Sequence, residues 1–454
     1  MNLPNYFFAD LPPEAILTET MIEESCRALK HNRERYLVGR TTPALIRVIS
    51  RVAENWLDSE YPFRKFALEH GPRVTGFSKA TLAAGLDAFF RRLTAANLQS
   101  LLTQELGLPE RLDAFCATGE ESASQRAAFA NGPELLVHVA AGSLPNPVFM
   151  SIILGLLARS AQFVKCATGS SFLPRLFAHS LYDADGKLGA CLEVAEWRGG
   201  TARLETPLFQ AADCVTATGS DETLAEIRCH LPVKTRFLGY GHRVSFGYVT
   251  HQALSGFNPA KIAARAAADV VAWNQLGCLS PHVIYVEHGG TMTAVQFAEA
   301  LAKELADREQ AEPRGELPAE TAAVIASKRA FYEIRAAHSP DNTRHWCSEN
   351  STAWTVVYEA DPLFQLSCLH RFVYVKGVAN LVEALQSADS VRGRVSTVGL
   401  AATEDKAPAL ATQLSRWGVT RVCPLGRMQD PPLLWRHDGR PSLGDLVTWT
   451  DWEQ

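Results

Sequence analysis

Three short loops and one cysteine are the parts of this sequence best suited to chemistry. Gly142 to Asn146, Lys165 to Ser171 and Thr218 to Ser220 each follow a short apolar run of β type and precede a helical one. Each offers small residues, hydroxyls or backbone N–H groups, which suit phosphate and ribose oxygens at helix N-termini. Any tight turn uses the same residues, so one such loop says little. Three in consecutive units point to a nucleotide, with Gly142, Ser143, Lys165, Thr168, Ser170, Ser171, Thr218, Gly219 and Ser220 as its candidate contacts. Cys278 follows a glycine at a helix-to-strand junction, inside the polar stretch Trp273-Asn-Gln-Leu-Gly277. A structural cysteine sits within an apolar element, as Cys166 and Cys214 do. A nucleophilic one needs an approachable loop and a setting that stabilises the thiolate. His242, in Gly241-His-Arg243, is a candidate base, although a histidine after a glycine turn also serves structure. The sequence carries no Gly-x-Ser-x-Gly elbow, Walker loop, His-Glu-x-x-His or acidic metal cluster. Hydrolase and kinase readings lack their parts, and no metal is expected.

The chain around these residues is 454 long, enough for two large domains or three ordinary ones. It is 47% apolar and 20% charged, the balance of a globular protein with a sizeable core. The charge sum, 44 − 49 = −5, has no long like-sign block, which argues against a nucleic-acid partner. The longest apolar stretch, Val148 to Ala158, is eleven residues with Ser151 inside it, well short of the roughly 20 that span a bilayer. The first residues lack a basic segment ahead of an apolar one, so no secretory leader is expected. Ten cysteines lie scattered without a Cys-x-x-Cys pair. They read as reduced thiols of a cytoplasmic protein.

Alternating strands and helices position the loops. Residues 1 to about 115 carry apolar residues at three- and four-residue intervals, in Glu14 to Leu29, Pro43 to Leu57, Lys79 to Leu93 and Leu98 to Leu106. From Pro133 the texture changes. Leu135–Val139, Gln162–Lys165, Asp213–Ala217 and Thr235–Leu238 read as strands separated by helices, the pattern of a doubly wound dinucleotide-type domain. A second α/β unit begins near Val249, with a helix started by Asn258-Pro259. Strands follow at Val283–Val286, Thr355–Glu359, Arg371–Val375 and Val395–Ala401, and an exposed helix–loop–helix covers residues 303 to 325. The expected divisions are 1–115, 116–248, 249–410 and a C-terminal wrap or oligomerisation segment, 411–454.

The stretches Gly142-Ser-Leu-Pro-Asn-Pro147, Phe237-Leu-Gly-Tyr-Gly-His242 and Trp273-Asn-Gln-Leu-Gly-Cys-Leu-Ser-Pro281 resemble the fatty-acyl reductase family of bacterial bioluminescence, the LuxC family. So does the ending Trp435-Arg-His-Asp-Gly-Arg-Pro441 with Leu443-Gly-Asp-Leu-Val447. That family lies within the aldehyde dehydrogenase superfamily. The resemblance implies an aldehyde dehydrogenase-like α/β fold with a helical N-terminal region. It also implies NADPH-dependent reduction of an acyl thioester to a fatty aldehyde through an acyl-cysteine. Cys278 stands at the nucleophile, and Asn146 at the asparagine that shares the oxyanion with the cysteine's own N–H. Lys165 stands at the ribose lysine, and Thr218-Gly-Ser220 at the turn near the pyrophosphate. Two departures matter. The superfamily motif Glu-Leu-Gly-Gly, whose glutamate activates the hydrolytic water, is here Leu238-Gly-Tyr-Gly241. Its loss suits an acyl-cysteine that must survive to meet hydride, and counts against an oxidative aldehyde dehydrogenase. Lys-Pro-x-Glu becomes Lys165-Cys-Ala-Thr168, with no acid before Asp183, which favours a 2′-phosphate. The expected partners are acyl-CoA or an acyl-loaded carrier or activating protein, and further copies of the chain. A non-catalytic scaffold of the same fold is the alternative that the retained Cys278 opposes.

Overall fold

Pairing of the apolar runs yields two parallel sheets, one in each of two units. The computed structural model describes residues 3–140, 142, 144–256 and 259–454. Unit 1 contains the chain up to Thr75, Leu86–Gly241 and Pro432–Gln454. Its strands are β1 (Arg126–Asn131), β2 (Leu135–Ala140), β3 (Ala161–Cys166), β4 (Leu192–Glu196), β5 (Cys214–Thr218) and β6 (Arg236–Tyr240). Five of them form an all-parallel sheet in the order β4-β3-β2-β5-β6. The order reverses at β2, and ligands of such sheets bind outside the carboxyl ends near that reversal. Helices Glu19–Tyr36 and Ala202–Ala211 bury Ile22, Cys26, Leu204 and Leu208 against Leu135, Val137 and Phe163 on one face.

Sequence patterning misses β4. Leu192-Glu-Val-Ala-Glu196 carries a charge into the core: Glu193 is buried and accepts from the N–H of Phe8 at 2.7 Å and of Val194 at 3.0 Å. Burial pushes its carboxyl up to about 8. The helix Pro62–Thr75 also escapes notice, because Gly71 and Pro72 interrupt its apolar rhythm.

Unit 2 contains Gly76–Gly85 and His242–Pro431. It begins earlier than the expected Val249, because β7 (Val244–Val249) is an inner strand of its sheet. With β8 (Pro281–Glu287), β9 (Thr343–Cys347), β10 (Thr355–Glu359), β11 (Phe372–Val378), β12 (Val395–Ala401) and β13 (Arg421–Pro424) it forms the order β13-β12-β7-β8-β11-β10-β9. Only β9 runs antiparallel to its neighbour. Ile284 and Val286 face helices Ala260–Val271 and Ala294–Ala311, while Val283 and Tyr285 face Ala319–His338, Leu381–Ser387 and Ala407–Trp417. Covering both faces explains why β7, β8, β11 and β12 are buried along their whole length. Asn258, expected to cap the first of these helices, lies outside the described residues. The expected C-terminal segment is divided: residues to Pro431 belong to unit 2, and Pro432–Gln454 returns to unit 1. There β14 (Thr448–Glu453) pairs antiparallel with β1.

A buried polar ladder ties the centre of the unit 1 sheet. Gln162 donates its Nε2–H to Ile152 O at 3.0 Å, so its Oε1 is the acceptor facing His138 Nε2 at 2.9 Å. The ring therefore carries its proton on Nε2, and Nδ1 accepts from the Thr216 hydroxyl at 2.6 Å. Burial pushes His138 down to about 4, whereas an unfolded histidine titrates near 6.5. Its contribution to stability is present above pH 6.5 and is lost as pH falls towards 4, on the order of 3 kcal/mol in all. The expected outcome is a steep loss of unfolding midpoint between pH 6.5 and 4.5 in the wild type, and a shallower one in His138→Gln. Parallel curves for the two proteins would show that His138 does not couple folding to protonation.

Candidate active site

In unit 2 the chain between helix Ala260–Val271 and β8 is forced into an unusual path. Trp273 (φ 50°, ψ 30°), Asn274 (φ 52°, ψ 33°) and Gln275 (φ 64°) are consecutive left-handed residues, each costing roughly 1–2 kcal/mol. Packing holds them there. The Trp273 ring meets Phe77 edge-on at 5.3 Å, and a Cβ on Gly85 would fall 2.0 Å from that ring. Asn274 Nδ2 donates to Arg314 O at 2.8 Å. Gln275 Nε2 donates to Pro281 O and Phe372 O, each at 2.8 Å. Facing this turn is a second run of left-handed residues, Leu369, His370 and Arg371, just before β11.

Between Trp273 and Pro281, Cys278 alone is exposed. A Cβ on Gly277 would lie 2.9 Å from the Gln429 amide, which also reaches Ser280 Oγ. Ser280 N–H donates to Gly277 O at 2.9 Å. A trans peptide points its N–H opposite to its C=O, so the Cys278 N–H is directed away from that inner turn. The next peptide is fixed as well, since Ser245 Oγ donates to Cys278 O at 2.7 Å. A thiol beside an N–H that points away from the turn, on a locked loop, suits nucleophilic attack on a carbonyl with its oxyanion stabilised. His242, which opens the second segment of unit 2, is exposed, and burial and then the neighbouring His242 push His282 down to about 4. Ser367 N–H donates to His282 Nδ1 at 3.1 Å, so the neutral ring keeps its proton on Nε2. The sequence offered only the polar character of Asn274-Gln275 as a hint of this support; Ser245, Ser367 and His282 gave no signal.

The other candidates lie at the carboxyl edge of the unit 1 sheet. Gly142 has φ 93° after β2, Ser143 lies outside the described residues, and Asn146 opens helix Asn146–Leu157 with its Oδ1 buried. Gly142, Thr168, Gly169 and Ser170 share a cavity of about 250 Å³ with Val74, Val148 and Phe172. Lys165 is buried near the end of β3, and its Nζ sits 5.9 Å from the centre of the Trp197 ring. Among the described residues it takes part in no ion pair, and burial lowers its pKa. The loop after β3 is not devoid of carboxylate, contrary to its own sequence. The sheet brings Glu196 from the end of β4, whose oxygens accept from Gly169 N–H at 2.6 Å and Ser171 N–H at 3.1 Å. Some expected contacts are occupied locally. Ser170 Oγ donates to Ala167 O, Ser220 Oγ caps its own helix at Thr223, and Gly219 N–H donates to Tyr240 O. Thr218 ends β5 beside them. Among the described residues no group of three or more His, Cys, Asp or Glu is placed to hold a metal.

Comparison with known proteins identifies the family and the fold. The family model described as acyl-CoA reductase (LuxC) matches residues 39–449. The long-chain acyl-protein thioester reductase of Photorhabdus luminescens is 26% identical over 250 residues, 53% of this chain and 49% of that protein. The chain thus spans about half the length of the curated relatives it matches. Among solved structures, an NAD-dependent benzaldehyde dehydrogenase from Corynebacterium glutamicum has a TM-score of 0.71 at 11% identity, covering 97% of this chain and 90% of its own. An NADP-dependent glyceraldehyde-3-phosphate dehydrogenase from Bacillus halodurans has a TM-score of 0.72 at 12% identity, covering 96% and 92%. The fold is aldehyde dehydrogenase-like.

Exposure separates the thiols into classes. Cys278 and Cys229 are exposed, while Cys26, Cys166 and Cys191 are buried and pushed up to about 12. Brief iodoacetamide treatment of the native protein at pH 8, followed by peptide mapping, is expected to mark Cys278 and Cys229 and to spare these three. Equal labelling of the buried set would contradict the loop geometry.

Proposed function

This chain belongs to the LuxC acyl-CoA reductase family, and we propose that it reduces an acyl thioester to an aldehyde through an acyl-cysteine on Cys278. The observation that carries the reading is a single exposed thiol on a buried, hydrogen-bonded loop whose Cys278 N–H points away from the Gly277–Ser280 turn. The Cys278 thiolate attacks the thioester carbonyl, a new C–S bond forms, and the donor thiol leaves with a proton. The Cys278 N–H receives the negative charge on oxygen. Asn146, by its place in the family pattern, is assigned the second donor, and such donors are worth about 3–4 kcal/mol each. With no glutamate in Leu238-Gly-Tyr-Gly241, nothing there activates water against the acyl-enzyme. His242 is assigned the proton relay.

A nicotinamide dinucleotide supplies hydride to the acyl group when bound. We assign NADPH, with Lys165, Thr168, Ser170, Ser171 and the Gly142 and Thr218-Gly-Ser220 turns as its holders. The support is a buried ammonium that, among the described residues, takes part in no ion pair and has Glu205 as the carboxylate acting on it, together with a Glu196 that spends both oxygens on backbone N–H groups of the loop after β3. The donor we assign is acyl-CoA or an acyl-loaded protein, as the name of the Photorhabdus relative suggests. Among the described residues no helix is long and apolar enough to cross a membrane, and we assign the enzyme to the cytoplasm.

Incubation with acyl-CoAs of several lengths, without reductant, tests the reading by intact mass. The wild type is expected to gain one acyl group, and Cys278→Ala none, with dinucleotide binding nearly unchanged. Acylation of the alanine variant would transfer the role to another cysteine. Asn146→Ala is expected to slow acylation by about a hundredfold or more, as loss of an oxyanion donor does, while substrate affinity changes little. Weakened binding with an unchanged chemical rate would reduce Asn146 to a shaping role.

Cofactor choice is tested separately. A 2′-phosphate adds about two negative charges, so Thr168→Glu is expected to erode a preference for NADPH over NADH while hydride transfer from bound cofactor stays similar. Titrations showing equal wild-type affinities, or no change in the variant, would remove this loop from the site.

A further inference from the structure

We infer that Gln275 is a positioning residue for acyl transfer: its carboxamide holds the Cys278 loop in the left-handed path that presents the thiol. The inference rests on Cys278 being the acylated residue. Gln275 is fully buried. Its Nε2 lies 2.8 Å from Pro281 O and 2.8 Å from Phe372 O, with Ser367 Oγ at 3.4 Å. Pro281 and Phe372 are the first residues of β8 and β11, which pair in parallel. One amide thus closes the loop 276–280 onto the strand that follows it and staples that strand's start to its neighbour's.

The second acceptor is equally informative. Phe372 follows the facing left-handed run Leu369, His370 and Arg371, and Phe372 N–H closes back onto Leu369 O at 3.0 Å. Two strained turns are therefore pinned to each other through Gln275. Ser367, in the same segment, is tied to His282 four residues beyond the cysteine. At the other end of the loop Ser245 Oγ holds Cys278 O and accepts from Thr397 N–H at 3.1 Å. The cysteine is suspended between these two anchors.

A packing role does not account for the residue. The acceptor half of the carboxamide, Oε1, is buried and meets no donor among the described residues. Methionine or leucine would fill the space without stranding a polar atom. What only the carboxamide provides is a two-pronged donor aimed at two carbonyls. Small displacements of a reacting group are costly in rate, about a hundredfold for 1 Å, so releasing this clamp should act on the chemical step.

The test uses the full chain. Wild type and Gln275→Met are compared for the acylation rate constant in single turnover with an acyl-CoA, the KM for that thioester, dinucleotide affinity and melting temperature. The expected result for Gln275→Met is acylation slower by about a hundredfold, with KM and dinucleotide affinity within about threefold of wild type. Gln275→Glu keeps the size of the side chain and adds a titratable donor. Protonated, it donates to one carbonyl; ionised, it repels both. Its acylation rate should therefore fall as pH rises, through an ionisation the wild type lacks. The titratable and charged groups facing it are His282, reached through Ser367, and His370 and Arg371 on the opposite turn. Both histidines are pushed down to about 4 and Arg371 to about 10; formation of the Cys278 thiolate raises the rate with pH in both proteins, so a falling limb between these limits that the wild type lacks belongs to the introduced carboxyl. A folded Gln275→Met with acylation within about threefold of wild type would overturn the inference. So would a loss shared equally by KM, dinucleotide affinity and melting, or a Gln275→Glu pH profile that overlays the wild type. Absence of acyl label on wild-type Cys278 overturns the acyl-enzyme reading and this inference with it, whereas a labelled wild type with indifferent Gln275 variants overturns the inference alone.

Discussion

An exposed thiol on a segment that is otherwise interior needs its backbone held in place, and in unit 2 two left-handed runs are held where the Cys278 loop needs them. Six left-handed residues, Trp273 to Gln275 and Leu369 to Arg371, together cost roughly 6–12 kcal/mol, comparable to the whole stability of a typical domain. Such a cost persists only where surrounding contacts over-determine the backbone. Here they do: a tryptophan seated over a glycine, two side-chain amides spent on main-chain carbonyls, and a serine on the cysteine's own carbonyl. Concentration of strain beside one exposed residue is the pattern of a reactive site rather than of a turn.

The two units solve different problems with related sheets. In unit 1 the polar loops follow the carboxyl ends of β2, β3 and β5, where helix N-termini offer N–H groups to a ligand. In unit 2 the cysteine precedes the amino end of β8. Helix dipoles favour anions at the first kind of edge. At the second, the chain enters the strand and side-chain amides must supply what helix termini supply elsewhere. Asn274, Gln275 and Gln429 are those amides: Gln275 and Gln429 hold the cysteine loop itself, and Asn274 anchors its start to Arg314 O.

Much of this was legible in the sequence, and what was not has physical causes. Short apolar runs gave β2, β5, β10 and β12 nearly residue for residue, and small residues after them gave the loops. Cys278 was legible because a glycine and polar neighbours interrupted an apolar junction. β4 was not, since its buried Glu193 is hydrogen-bonded by an N-terminal segment far away in the chain. Nor was β14, an exposed strand with no apolar alternation whose partner β1 lies more than three hundred residues earlier. Left-handed backbone at a tryptophan and two amides has no local sequence signature, because glycine is the residue that ordinarily announces it. Support by Ser245 and Ser367 is a tertiary fact that spacing alone does not encode.

Glu196 shows why cofactor choice is the hardest property to read along a chain. A linear scan from Lys165 meets no acid until Asp183, yet the next strand of the sheet delivers a carboxylate to the same loop. Its charge does not act as a bare one: two backbone N–H groups hold it, and hydrogen bonds of this kind favour and localise the anion. Lys165, by contrast, lies in the core with the Trp197 face beside its ammonium, and the Glu205 charge only partly offsets the burial that lowers its pKa. An unpaired buried cation carries a desolvation cost that a bound anion relieves. The contrast between a carboxylate held by two N–H groups and an ammonium whose charge Glu205 only partly offsets is the basis on which a more negatively charged cofactor is assigned to this edge. Relatives named for NAD and for NADP share the fold, so the distinction must reside in such local balances rather than in the architecture.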